Sequence, residues 1–201
     1  MESDIKPGIK NITLIVTLFY ASFPVSADFK AGGDAYKMGD YETAAKEFLP
    51  LAEGKDHRAM YALGSMYAAG HGVPMDLKEA LRWFRKAASY ERPDAQYKLG
   101  LMYDKGLGLT QDYRKALVWY GKSAKNGYAL AQYKIGQMYI AGNGVKQNFI
   151  KAFAWLKTAI SQGANDKENI LANLTSELTP VQLTEANSLT RQYLEKYTVR
   201  H

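Results

Sequence analysis

Residues 95–124 read AQYKLGLMYDKGLGLTQDYRKALVWYGKSA, and this stretch decides the fold because the chain repeats it. Shifted by 36 positions it falls on AMYALGSMYAAGHGVPMDLKEALRWFRKAA (59–88) and AQYKIGQMYIAGNGVKQNFIKAFAWLKTAI (131–160). Tyr61, Tyr97 and Tyr133 coincide, as do Gly64, Gly100 and Gly136, and Met66, Met102 and Met138. A period of this length, kept without slippage, is the mark of a solenoid whose units bury their apolar faces against one another.

Each unit predicts two helices. In the first unit Ala59, Tyr61, Leu63, Met66 and Tyr67 carry the apolar face of the leading helix. Leu77, Ala80, Leu81, Phe84, Ala87 and Ala88 carry that of the second, with Trp83 widening the stripe. A glycine inside a helix costs about 1 kcal/mol against alanine. Its threefold return at Gly64, Gly100 and Gly136 therefore implies a contact too close for a side chain.

The glycine pair of "GHGVPMD" (70–76) recurs as Gly106/Gly108 and Gly142/Gly144. A phosphate-cradling loop needs a strand before it, and none is readable, so the pair is a turn. Its histidine does not recur: His71 is matched by Leu107 and Asn143, and is expected to be dispensable. Asp76, Asp112 and Asn148 stand at the N-cap of the second helix, and Asp76 with Glu79 has the spacing of a capping box. Where the second and third units close with Asn126-Gly127 and Gln162-Gly163, the first has Glu91-Arg92-Pro93, predicting a turn set differently.

The register extends in both directions. Asp40, Tyr41, Ala44 and Phe48 match Asp76, Leu77, Ala80 and Phe84. Ahead of them, Gly33, Tyr36 and Gly39 match Gly64, Tyr67 and Gly70 once five loop residues are removed. Residues 28–58 are thus a shortened unit, followed by full units at 59–94, 95–130 and 131–166 and by terminal helices within 167–201. "TPVQ" (179–182) combines an N-cap, a proline at the first helical position and a closing glutamine. The helix it opens offers Val181, Leu183, Ala186, Leu189, Tyr193 and Tyr197 as one face. Its polar opposite face suits a cap over the solenoid end.

Composition places limits on chemistry. The chain has 201 residues, 47% of them hydrophobic, a formal net charge of +6 and no cysteine. Disulfides, thiolate nucleophiles and cysteine zinc sites are therefore excluded. His57, His71 and His201 are scattered and unrepeated, which gives no metal or cofactor site. The basic balance alone does not imply nucleic acid. Lys6 and Lys10, the apolar run "ITLIVTLFYASF" (12–23) and Val25-Ser26-Ala27 form an export-signal pattern over 1–27. The run is shorter than a membrane span needs. A mature chain beginning at Asp28 is expected in the periplasm or outside a bacterial cell, with a retained anchor as the alternative.

Ala, Tyr, Leu-Gly, Met-Tyr, Gly-x-Gly and Ala-Leu-x-Trp-Tyr, in that order, resemble the Sel-one-like repeat, a relative of the tetratricopeptide repeat. "GDYETAAKEFLPLAE" (39–53) resembles the shorter tetratricopeptide form. The resemblance implies an all-α, right-handed α-solenoid of helix-turn-helix units with a C-terminal capping helix. It also implies a non-enzymatic adaptor whose first helices line a concave, partner-binding face. On that face the internal comparison leaves Met60, Ala62 and Ser65 in the first full unit, with Asp104 near the end of the next first helix. The candidate partner-binding residues are Gln96, Lys98, Leu101, Lys105, Gln132, Lys134, Gln137 and Ile140, facing a protein or peptide. Basic second-helix residues such as Lys86 and Lys122 are read as stems covering apolar surface. Some relatives are cysteine-rich and penicillin-binding, but their cysteines are missing here. The one Ser-x-x-Lys, Ser3 to Lys6, falls in the export signal. Action on peptidoglycan or β-lactams stands as the alternative function.

Overall fold

The structure is a computed structural model that describes residues 27–197 apart from Lys167. Apart from Ala27, the expected export signal lies outside the described residues. Four helix pairs follow one another: α1 (Phe29–Met38) with α2 (Tyr41–Glu53), α3 (His57–Ala69) with α4 (Leu77–Ala88), α5 (Pro93–Lys105) with α6 (Tyr113–Lys125), and α7 (Ala129–Ala141) with α8 (Phe149–Ser161). The short α9 (Ile170–Glu177) and the long α10 (Pro180–Tyr197) complete the chain, and no strand occurs among the described residues. Each helix packs chiefly on its neighbours in sequence, and α10 returns onto α8. This is an α-solenoid.

The repeated glycine is where the two helices of a pair meet. A Cβ on Gly64 would stand 2.8 Å from the Phe84 ring, on Gly100 2.4 Å from Tyr120, and on Gly136 2.7 Å from Leu156. In the shortened unit the equivalent contact is made by Gly32, whose Cβ would stand 2.7 Å from Phe48. Gly33, expected in that role, meets nothing within 4 Å. Matching the αL glycine that ends each first helix had placed the pairing one residue late. α1 carries one more residue between its packing glycine and Gly39 than α3 does between Gly64 and Gly70.

The loops repeat in detail. Asp76, Asp112 and Asn148 accept from backbone N–H groups of the helix they open. Their own N–H groups donate to Tyr67, Tyr103 and Tyr139 at 2.9, 2.9 and 3.0 Å. That bond explains why the expected capping box at Asp76 forms by half: its N–H is already satisfied, and Glu79 instead pairs with Arg82 at 2.7 Å. The box at Thr179 is complete, with Thr179 N–H donating to Gln182 Oε1 at 2.9 Å and Gln182 N–H to Thr179 Oγ1 at 3.3 Å.

Two loop expectations are corrected. Glu91 takes φ 57°, the left-handed conformation of Gly127 and Gly163, so the turn after the first full unit is of the same kind. His71 is not idle. It stacks on Tyr41 at 4.3 Å and 11°, and its Nδ1 lies 2.9 Å from the Tyr36 hydroxyl, tying the shortened unit to the next.

The tryptophans mark the stacking direction. Lys86 lies over Trp83 at 4.3 Å and Lys122 over Trp119 at 4.2 Å. One period later the cation is replaced by Thr158, which is buried and donates to the Ala154 carbonyl at 2.7 Å. The face of Trp155 is taken instead by Tyr193 and Tyr197 of α10, at 4.5 and 5.1 Å. On α10 the inward stripe is Leu183, Ala186, Thr190, Tyr193 and Tyr197, a 3-4-3-4 spacing. Leu189 is half-buried beside it. Val181 falls off that stripe and is 78% exposed, contrary to expectation.

Candidate functional site

A groove of about 500 Å³ opens between α1 and α3. Phe29, Gly33, Tyr36 and Lys37 form one wall, Arg58, Tyr61, Ala62 and Ser65 the other, with Phe48 between them and Arg92 at one end. The helix period places these residues together: on α3 the lining positions recur at three- and four-residue steps, along one face. Phe48, only 3% exposed, forms the floor under Gly32, whose missing side chain lets α1 pack directly on the ring.

The cations at the rim are held in place. Arg58 binds both oxygens of Asp56, through Nη2 at 2.7 Å and Nε at 3.2 Å, and lies 4.4 Å from the Phe29 centroid. Arg92 donates from Nε to Asp94 at 2.9 Å and from Nη1 to His57 Nδ1 at 3.2 Å, and lies 5.3 Å from the Tyr61 centroid. The side-chain bond to Arg58, supported by the N–H groups of Arg58 and Ala59, holds the Asp56 carboxyl down at about 2. Burial, with the nearby Asp94, pushes the Tyr61 hydroxyl up, so that this side chain stays neutral at physiological pH. Among the described residues no group of His, Asp or Glu could hold a metal ion.

The sequence-predicted recognition residues divide into two sets. Gln96 and Gln132 are buried, at 4% and 0% exposure, and serve as links between helices. Asn126 donates to Gln96 Oε1 at 3.3 Å, and one period on Gln162 donates to Gln132 Oε1 at 2.9 Å. Gln132 in turn donates to the carbonyls of Ala124 and Tyr197 at 3.2 and 3.3 Å. They vary from Met60 because Met60 meets an apolar neighbourhood, not because they face a partner. Ile140 packs against the core around α8 and α9. Lys98, Leu101, Lys134 and Gln137 are half-buried on one face and Lys105 is exposed at the end of α5. Lys98 and Lys134 occupy the position that Ala62 holds in the groove, and Leu101 and Gln137 that of Ser65. What was missed is the shortened unit's own contribution. Its signal was the doubled glycine at 32–33, one to pack and one to spare.

Three segments, 57–89, 93–128 and 129–163, match the Sel1 repeat, and together they cover just over half of the chain. The chain belongs to the Sel1 repeat family, whose members are generally non-enzymatic protein-interaction scaffolds. Among solved structures it is similar to a Sel1 repeat protein from Oxalobacter formigenes: 28% identity, TM-score 0.71, over 83% of this chain and 70% of that one. It is also similar to c5321, a protective antigen of uropathogenic Escherichia coli with an SLR fold: 27% identity, TM-score 0.59, over 85% of this chain and 45% of that one. The chain thus spans less than half of the antigen. No curated protein matches it.

Proposed function

We propose that this chain is an exported bacterial scaffold that captures a protein or peptide partner on the face formed by α3, α5 and α7, without catalysis of its own. The observation that carries this reading is a division of labour within the repeat. Positions identical in all three units are spent on packing. Ala62, Lys98 and Lys134, like Ser65, Leu101 and Gln137, vary at equivalent places. The side chains of Lys98, Lys134 and Gln137 are free of hydrogen bonds to other described residues. The pattern at 1–27 supports export, and the likeness to a bacterial antigen is in keeping with a role at the envelope. No helix among the described residues is long and apolar enough to cross a membrane.

Crosslinking in intact envelopes, followed by mass spectrometry, tests the reading. Replacing Lys98, Leu101, Lys134 and Gln137 together is expected to abolish partner capture. Each such change moves stability by no more than about 0.5 kcal/mol. Capture that survives this variant but fails when Lys78, Arg82 and Lys115 become glutamine would move recognition to the second helices. N-terminal sequencing of protein released by osmotic shock is expected to begin at Asp28, and an intact Met1 in the cytosol would end the export reading.

A further inference from the structure

We infer that the exposed face of α4 and α6 docks on an anionic phospholipid surface, without any of these residues crossing the bilayer. The inference goes beyond the scaffold reading, and only its choice of lipid over other polyanions rests on the export part of that reading.

The distribution of charge carries the argument. α4 and α6 hold eight of the chain's 26 lysines and arginines but one of its 20 acids, Glu79. These two helices alone therefore carry more than the whole formal charge of +6, and the rest of the chain is close to neutral. All eight cations are exposed. On α6, Arg114, Val118, Lys122 and Lys125 follow at four-, four- and three-residue steps along one face. Two of the eight have carboxylate partners, Arg82 with Glu79 at 2.7 Å and Lys115 with Asp112 at 3.2 Å. Lys78, Arg85, Lys86, Arg114, Lys122 and Lys125 pair with no carboxylate among the described residues. The two helices share one surface. Ala88 and Ser89 at the end of α4 line a hollow with Trp119, Lys122 and Lys125 of α6, in which Glu91 is the one acid.

Helix electrostatics accounts for only part of this pattern. Arg85, Lys86, Lys122 and Lys125 stand in last turns, where the helix dipole favours a cation. Lys78, Arg114 and Lys115 stand in first turns, where it disfavours one, and an anion outside the helix offsets that cost. Against an anionic leaflet such side chains act by number rather than by exact geometry. Exposed apolar groups among the cations point to lipid. Met75, in the loop that leads into α4, is 68% exposed, and Val118, in the middle of the α6 stripe, is 58% exposed. Side chains of this kind gain at the boundary between headgroups and acyl chains and gain nothing on a phosphate backbone. The stems of Lys86 and Lys122 run over the Trp83 and Trp119 rings, which leaves the ammonium groups to reach outward. A second copy of the chain fits poorly, because it brings a net charge of +6 to a cationic face.

The test sediments the chain, as isolated from its expressing bacterium, with vesicles of phosphatidylcholine alone or mixed with phosphatidylglycerol. Binding to the mixed vesicles is expected, falling as salt is raised, with little binding to the neutral ones. Arg114→Gln with Lys122→Gln and Lys125→Gln should lower the partition by about tenfold or more. Lys98→Gln with Lys105→Gln and Lys134→Gln removes the same charge from α5 and α7 and should change it by less than about threefold. Lysine acetylation of the unaltered chain, read by mass spectrometry, needs no variant to fold. Mixed vesicles should protect Lys78, Lys86, Lys122 and Lys125 but not Lys98 or Lys134. Equal binding to neutral vesicles, equal losses in the two variants, or no protection of the α4 and α6 lysines would each overturn the inference. Release from the vesicles by duplex DNA at equal phosphate concentration would give the face to a nucleic acid and overturn it too. The scaffold reading is judged separately by envelope capture with the Lys98, Leu101, Lys134 and Gln137 variant. If capture depends on those residues while vesicles are not bound, the scaffold stands and the lipid face does not.

Discussion

Lys55 and Glu91 stand two periods and one period ahead of Gly127, which is followed in turn by Gly163. All four have positive φ: 72°, 57°, 73° and 92°. A residue with a Cβ is strained there by about 1–2 kcal/mol, and glycine recovers part of that against its greater freedom in the unfolded chain. Lys55→Gly and Glu91→Gly are therefore expected to stabilise by about 0.5–1 kcal/mol each, read as a rise in the urea midpoint. The sequence showed this turn only where glycine fills it. At Lys55 and Glu91 the constraint acts on the backbone and leaves no trace in the side chain. His71 was misread for a related reason. Comparison among the full units shows what they share, whereas His71 answers to Tyr36 and Tyr41 of the unit that differs. His71→Ala is expected to lower stability by about 1–2 kcal/mol through loss of the stack and the hydrogen bond. Asn143→Ala, at the same place in the third unit, gives the comparison in thermal melts.

At the scale of helices and loops, the two glycines of each Gly-x-Gly turn have different duties. Gly106 ends α5, and a Cβ on it would stand 3.3 Å from the nearest atom, Gln111 N, in its own loop. Gly108 reaches the start of α4 in the preceding unit, where a Cβ would stand 2.8 Å from the Leu77 backbone. Gly144 meets Tyr113 of α6 at 2.6 Å in the same way. Both classes are left-handed, so alanine at Gly106 should cost about 1–2 kcal/mol. Alanine at Gly108 should cost a further 1–3 kcal/mol or so, because backbone must move. Equal losses in denaturant melts would remove the inter-unit role of Gly108. The opening of α3 gives a pH dependence. Asp56 is held at about 2, below the roughly 3.9 of an unfolded aspartate, so the ionised form favours folding. That contribution is complete above about pH 5 and fades as pH falls through 4 toward 2. Asn keeps the cap but not the charge. Asp56→Asn should thus be less stable by on the order of 1 kcal/mol at neutral pH, discounted for the half-exposed Arg58. The gap should close near pH 2.

For the whole molecule, the 36-residue period made the pairs and their packing glycines legible, since every unit solves the same steric problem. The groove was less legible because it lies where the period breaks, between a shortened unit and a full one. The C-terminal cap was readable as a helix, but its seat was not. Thr158 in place of Lys86 and Lys122 looks like a minor substitution until Trp155 is seen to trade a cation for two tyrosines. That exchange has a consequence for stability. In a solenoid each unit leans on its neighbours, so damage at one end spreads only as far as the coupling carries it. Here contacts run between successive helices, with α10 returning onto α8. Tyr193→Ala with Tyr197→Ala would uncover Trp155, at an expected cost on the order of 2–4 kcal/mol. Hydrogen exchange should then rise first in α7, α8 and α10, while amides of α3 and α4 keep most of their protection. The loss should be felt in α7 as well, because the carbonyl of Tyr197 accepts from Gln132, the link at the start of that helix. A uniform loss of protection from α1 to α10 would show instead that the chain unfolds as one cooperative unit, with the cap holding the first repeat as firmly as the last.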